Sequence, residues 1–114
     1  LHLKMASTII RKIISTPNAP RPAAPYNQAI VVDRTVYLSG VLGMDKDTGK
    51  LVEGGVIPEA IKAFENIRNI LAAAGSSIEG VIKCTVLLNN IGDFADVNKE
   101  YVKGKKCTSC VLAH

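Results

Sequence analysis

The stretch AIVVDRTVYLSG, residues 29–40, decides the fold that the sequence predicts. Two runs rich in β-branched and aromatic residues flank the polar pair Asp33-Arg34. Such runs favour strands, and a two-residue polar break between them is typical of a β-hairpin. We therefore predict an antiparallel hairpin in this region, whose second strand ends at Ser39 and Gly40.

The segment before the hairpin predicts a strand followed by a loop. Residues 8–15 are rich in isoleucine, which favours a first strand. Residues 16–29, TPNAPRPAAPYNQA, then hold four prolines, which block helix and favour extended backbone. We interpret this stretch as a loop pinned to a surface, because it is short and soon reaches Tyr26.

The segment after the hairpin predicts a third strand around residues 41–44 and then a turn. The turn is DKDTGK, residues 45–50, in which Gly49 suits a positive φ. Its acidic residues resemble those of a calcium loop, but the glutamate required at the twelfth position is missing. A plain turn is therefore favoured over a calcium site.

The rest of the chain predicts two helices and one more strand. Residues 58–74 carry an apolar stripe at helical spacing, with Pro58 in the first turn and Gly75 after the end. Residues 81–88 are apolar on both faces, as in a central strand, and residues 93–102 form an amphipathic helix that Asp93 can cap. The order predicts an α+β two-layer domain, a mixed sheet with two helices on one face, and an exposed sheet edge.

Composition restricts the classes of protein to be considered. The 114 residues suit one domain, and a hydrophobic share of 47% is enough for a packed core. No apolar run is long enough to cross a bilayer, so we expect no membrane partner. The net charge of +4 allows weak contact with nucleic acid without arguing for it, because the basic residues are scattered.

Two compartments stay open. Three cysteines are too few for a secreted disulfide framework and no signal-peptide pattern is present, which favours a reduced, cytoplasmic location. Residues 1–32 contain no acidic residue, a composition shared by mitochondrial presequences. We take Met5 as the start and residues 1–4 as upstream sequence.

Few residues carry recognisable chemistry. The only histidines are His2 and His114, so no Ser–His or Cys–His dyad is expected inside the domain. Cys84, in the middle of a predicted strand, is interpreted as a buried, inert thiol rather than a nucleophile. Ser39-Gly40 is either a polar strand end facing a small ligand or a bulge. Asn98 is either solvated or an orienting amide.

Three segments together closely resemble the RidA/YjgF/UK114 family of reactive-intermediate imine deaminases. They are APYNQAIVVDRTVYLSGVLGMDKDTGKLVEGG, the alanine-rich helix that ends in AAAG, and VIKCTVLLNNIGDFADVNKEY. The resemblance covers residues 5–103. It implies a chorismate-mutase-like fold with a six-stranded sheet and two helices on one face, assembled as a homotrimer with ligand clefts between subunits.

The resemblance also implies an activity and site residues. Family members hydrolyse 2-iminopropanoate and 2-iminobutanoate to 2-keto acids and ammonia without a metal or other cofactor. Some are described as translation inhibitors or endoribonucleases acting on single-stranded RNA. Tyr26 matches the tyrosine that lines the substrate cleft, Ser39 and Gly40 match the polar strand end facing the ligand, and Asn98 matches a helix asparagine near the cleft.

The same comparison predicts what this chain lacks. The family's last two strands, the arginine that binds the substrate carboxylate and a late glutamate that helps to activate water have no counterpart here. Four arginines, Arg11, Arg21, Arg34 and Arg68, are expected to lie away from the cleft. We therefore expect impaired deamination with no catalytic residue assigned. The alternatives are an inactive truncated form that associates only with full-length subunits, or an endoribonuclease acting on single-stranded RNA that inhibits translation.

The final segment, residues 104–114, is predicted to be a basic and cysteine-rich tail outside the family domain. Cys107, Cys110 and His114 have a spacing that could suit zinc, but without a fourth ligand they make half a site at most. A substituted ending is the favoured interpretation, and no metal site is predicted.

Overall fold

The computed structural model describes residues 9–103. Three short strands come first, and two α-helices separated by two single 3₁₀ turns follow. In chain order the elements are β1 Arg11–Ile14, β2 Ala29–Val32, β3 Thr35–Leu38, α1 Val56–Ala73, the turns Ile78–Gly80 and Ile91–Asp93, and α2 Phe94–Lys103. The α+β class predicted from the sequence is confirmed.

The predicted hairpin is formed by β2 and β3, which pair antiparallel with Val32 opposite Thr35. Asp33 takes a positive φ of 52°, which lets the chain reverse within two residues. β1 pairs antiparallel with the other edge of β2, so the sheet has the order β1-β2-β3. The described sheet is thus purely antiparallel, whereas a mixed sheet was predicted.

The hydrophobic core lies between the inner face of the sheet and α1. Ile14, Ala29 and Leu38 occupy facing positions on the three strands, and Ile14 and Ala29 are almost fully buried. Ala19 from the proline-rich loop and Ile70 from α1 complete the cluster. Burial of apolar area is what holds the helix against the sheet.

The predicted helix at residues 58–74 is confirmed as α1, which begins two residues earlier and ends one residue earlier than predicted. Pro58 lies in its first turn, and Gly75 follows the C-cap with a φ of 76°. The N–H of Gly75 donates to the carbonyl of Ala72, and the N–H of Ser76 donates to that of Leu71. These two bonds form a Schellman motif, which ends the helix and satisfies its last carbonyls.

A buried amide on α1 fixes the segment that follows β3. Asn66 is 1% exposed, and its Nδ2 donates to the carbonyls of Leu42 (3.0 Å) and Met44 (2.9 Å). Gly43 lies between them, and a Cβ there would come within 2.2 Å of the Glu59 carbonyl oxygen. The backbone of residues 42–44 therefore lies directly on the helix, which a larger residue at position 43 would prevent.

The second helix packs on the first. The rings of Phe64 and Tyr101 meet edge to face with centroids 5.7 Å apart, and Val97 is buried. The side chain of Asn90 accepts a hydrogen bond from the N–H of Gly92 in the 3₁₀ turn before the helix. The helix was predicted to begin at Asp93 with that residue as its cap; it begins at Phe94, and Asp93 is the last residue of that turn and directly precedes the helix.

Two predicted strands are absent from the described residues. Residues 41–44 contribute only an isolated bridge between Met44 and Leu51. Residues 81–88 have no strand assignment, although Cys84, Val86 and Leu88 alternate in burial with their exposed neighbours as they would in a strand. A strand is defined by its ladder, and in residues 9–103 no strand pairs with this segment. No helix of the described region is long and apolar enough to span a membrane.

Candidate functional site

Two adjoining cavities open where β3 ends. The larger has a volume of about 590 Å³ and the smaller about 210 Å³. Five residues line both cavities and form a shared wall: Tyr26, Ser39, Gly40, Val41 and Leu42. The structure thus brings together three of the four site residues that the sequence predicts, Tyr26, Ser39 and Gly40, although they belong to two different segments.

The larger cavity is mostly apolar. One side is the face of α1 that carries Ala63, Phe64 and Ile67, and the other side is the extended segment 84–88. Glu59, in the first turn of α1, is the single charged residue among those that line it. This space suits the alkyl part of a small molecule.

The smaller cavity is bounded by the proline-rich loop. Pro20, Arg21 and Pro22 line it together with Gln28 and the shared wall, and Arg21 is its single charged lining residue. Arg21, which was expected to lie away from the family's ligand cleft, thus lines the same cavity as Tyr26, Ser39 and Gly40. The sequence offered one signal, since an arginine between two prolines sits on a backbone with little freedom, but nothing in it located the loop beside β3.

Ser39 is held so that its oxygen can accept a hydrogen bond from a ligand. Its Oγ donates to the carbonyl of Asn27 at 2.5 Å, and its N–H donates to the carbonyl of Gln28 at 3.1 Å. Because the hydroxyl proton is used internally, the remaining lone pairs of Oγ are acceptors. Gly40, which follows, has open space where a Cβ would stand, so its backbone borders the cavity without a side chain.

Asn98 and Cys84, two further residues considered in the sequence, differ in whether they line a cavity. Asn98 is half-buried on α2 and is not among the residues that line the two cavities, whereas its neighbour Val97 lines the larger one. Cys84 lines the larger cavity and is half-buried, so the prediction of a fully buried thiol is wrong.

The acidic turn at residues 45–50 has a structural explanation. The Oδ1 of Asp45 accepts the N–H groups of Thr48 (2.9 Å) and Asp47 (2.8 Å), and these bonds hold the pKa of that carboxyl below its usual range. Gly49 takes the predicted positive φ, of 67°. Residues 9–103 contain no cluster of three or more His, Cys, Asp or Glu side chains that could hold a metal ion. Cys107, Cys110 and His114 lie outside the described residues.

Sequence comparisons match this chain to one group of related proteins. A family model described as endoribonuclease L-PSP matches residues 16–110. The chain is 59% identical over 95 residues to the RutC family protein UK114 of Drosophila melanogaster, covering 83% of this chain and 69% of that protein. It is 52% identical over 95 residues to the human 2-iminobutanoate/2-iminopropanoate deaminase, with the same two coverages.

Solved structures match the fold. RidA from an Antarctic Psychrobacter superposes with a TM-score of 0.83 at 38% identity, covering 90% of this chain and 84% of that one. Yeast Mmf1 gives a TM-score of 0.80 at 35% identity, covering 91% of this chain and 86% of that one.

Proposed function

This chain belongs to the endoribonuclease L-PSP family, which includes RidA, YjgF and UK114, and on that premise we propose that it hydrolyses 2-imino acids. The substrates proposed are 2-iminobutanoate and 2-iminopropanoate, after the names of relatives at 52–55% identity. The products are the 2-keto acid and ammonia. The observation that carries the proposal is the shared wall, which includes Tyr26, Ser39 and Gly40 and lies between a cavity lined by Arg21 and a larger, mostly apolar one.

Hydrolysis of an imine requires mainly that the protein position the substrate and a water molecule. The carbon of a protonated C=N group is already electrophilic, so water can attack it without a covalent protein nucleophile. The Ser39 Oγ acceptor suits the N–H of such a group, because its own proton is bound to the Asn27 carbonyl. The apolar side of the larger cavity suits the methyl or ethyl group of the substrate.

A coupled assay tests this proposal. A pyridoxal-phosphate dehydratase generates the imine from threonine or serine, and release of the 2-keto acid is followed with and without the purified chain. We expect Ser39→Ala and Tyr26→Phe to slow release, and the matched controls Thr35→Ala and Tyr37→Phe, which do not line the cavities, to leave it unchanged. A rate equal to that of the uncatalysed reaction would contradict deamination by this chain.

We also propose that a polypeptide of these 114 residues alone turns over slowly. The support is the resemblance itself, since the family's late glutamate and its own carboxylate-binding arginine belong to a part of the family that residues 5–103 do not match. The comparison to make is the rate of this chain against that of the human relative in the same assay. Equal rates would refute the proposal of slow turnover and leave that of deamination intact.

A homotrimer is the proposed assembly. On the outer face of the sheet, Ile13, Ile30 and Tyr37 lie opposite one another across the three strands, and Ile13 and Tyr37 are 53% and 61% exposed. An apolar row of this kind suits packing against the sheet of another subunit. Light scattering after size exclusion should give three subunits, and Tyr37→Glu should shift the mass towards one. A monomeric parent chain would contradict it.

RNA cleavage is a second candidate, favoured by the description of the matching family model and by the net charge of +4. It predicts that cleavage of single-stranded RNA co-purifies with the chain through successive columns and falls in Ser39→Ala. Activity that separates from the chain would exclude this candidate.

A further inference from the structure

The loop that carries Arg21 is held in place by one buried side chain. Gln28 is 6% exposed, its Oε1 accepts the N–H of Thr16 at 2.6 Å, and its Nε2 lies 3.0 Å from the Pro20 carbonyl and 3.3 Å from that of Ala19. The backbone immediately before Arg21 is thus tied to the start of β2. Strand β3 pairs with β2 and leads to Ser39, whose N–H donates to the Gln28 carbonyl. The start of β2 therefore supports both the loop and the shared wall.

The backbone at Arg21 itself has little freedom. Pro20 has a fixed φ, and Pro22 confines the residue before it to extended conformations. A side chain on such a backbone loses less conformational entropy when it binds a ligand than one on a mobile loop. The loop therefore presents Arg21 to the smaller cavity from an almost rigid base.

The charge of Arg21 is available to a ligand. Arg21 is exposed, and the four ion pairs found within residues 9–103 all involve lysines. Across the residues lining both cavities, Arg21 is the single cation and Glu59 the single anion, one in each cavity. The smaller cavity is therefore the side of the shared wall on which a negative group is stabilised.

We propose that Arg21 binds the carboxylate of the small acid that this site accepts and so determines its specificity for acids over uncharged analogues. The inference rests on the proposed function, and it assigns the carboxylate to the smaller cavity. A guanidinium binds a carboxylate through two parallel hydrogen bonds, which fixes the orientation of the acid as well as attracting it.

This placement agrees with the rest of the site. In a 2-imino acid the reacting carbon is bonded directly to the carboxylate, at about 1.5 Å. A carboxylate at Arg21 therefore places the C=N group beside the shared wall, where Ser39 offers its acceptor, and leaves the alkyl group to the apolar cavity. Arg21 supplies a cation from the proline-rich loop, a part of the chain where the family resemblance predicts none.

A binding experiment tests the proposal separately from turnover. The intact 114-residue chain is titrated with 2-oxobutanoate and, separately, with its uncharged amide, and binding is followed in ¹H–¹⁵N NMR spectra. The variants are Arg21→Ala, Arg21→Lys and the matched control Arg34→Ala, which removes the same charge from the hairpin turn, at the other end of β3 from Ser39. The spectra also show that each variant is folded.

We expect Arg21→Ala to weaken binding of 2-oxobutanoate roughly tenfold to a hundredfold, the loss of one charge-assisted contact, and to leave binding of the amide within about twofold. Arg21→Lys should retain part of the affinity, and Arg34→Ala should change neither ligand. Equal losses for acid and amide, equal losses in Arg21→Ala and Arg34→Ala, or no binding of the acid by the parent chain would overturn the proposal. Selective binding of the acid without turnover would support the role of Arg21 and refute deamination. Turnover with an unchanged KM in Arg21→Ala would support deamination and refute the role of Arg21.

Discussion

Replacing Gln28 with leucine should destabilise the domain strongly, although the two side chains are similar in size. The four hydrogen bonds of this side chain reach the N–H and carbonyl of Thr16 and the carbonyls of Ala19 and Pro20, at 2.6–3.3 Å. Thr16 and Ala19 are buried, so water does not readily replace the lost partner. Leucine retains the apolar packing and removes only the hydrogen bonds.

The magnitude follows from the groups left without a partner. At least two buried backbone groups, one from Thr16 and one from Ala19, lose their Gln28 contact, and each such loss costs about 1–3 kcal/mol. The carbonyl of Pro20 is half-buried and can reach solvent. The free energy of unfolding should therefore fall by about 3 kcal/mol, a large part of the roughly 5–15 kcal/mol typical of a domain.

Urea unfolding, followed by circular dichroism at fixed protein concentration, measures this change. With a slope of about 1.5 kcal/mol per molar urea, the midpoint should fall by roughly 2 M. The matched control is Asn69→Ala, which removes an exposed hydrogen bond of 2.9 Å from α1 to the carbonyl of Asn18 in the same loop. It should cost no more than about 0.5 kcal/mol. Equal shifts in the two variants would refute the assignment of Gln28 as the anchor of the loop.

Three further predictions concern the segments around the site. Asn66→Leu should lower the free energy of unfolding by about 2 kcal/mol in urea, because two backbone carbonyls after β3 lose their donor, whereas Asn98→Leu on α2 should change it much less. The carboxyl of Asp45 should titrate below its usual pKa in NMR spectra. The stability that its turn adds is therefore present above the unfolded-state pKa and is lost as the pH falls through the folded-state pKa. A titration at the usual pKa would contradict this. Gly75→Ala should cost about 1 kcal/mol in thermal unfolding, since its φ of 76° is strained for alanine, and an unchanged midpoint would argue against the left-handed helix end.

Local patterns predicted the elements that depend on local forces. The apolar spacing of α1 and the turn chemistry at Asp33 and Gly75 act within a few residues, so these features could be predicted from the sequence. Residues 81–88 have the alternation of a strand, but no strand within residues 9–103 pairs with them, because pairing depends on a neighbour that the segment itself cannot specify.

The site was predictable in part, for a similar reason. Ser39 and Gly40 stand at a strand end, and Tyr26 was assigned through family resemblance. Arg21 and Gln28 were not assigned to the site from the sequence, because polar side chains are usually solvated and a buried glutamine is recognised only when its backbone partners are known. The packing of the loop against β2 is a tertiary property.

The hairpin has a consequence for the order of events in folding. Tyr26 and Ser39 stand just before and just after the two paired strands, and the bond from the Ser39 N–H to the Gln28 carbonyl continues their ladder. Contacts so near in sequence close within about 1–10 μs in isolated hairpins, whereas the contact between α1 and β3 must wait for a longer loop to close. The shared wall should therefore belong to the early nucleus, and substitutions within the hairpin should slow refolding more than those in the helical layer.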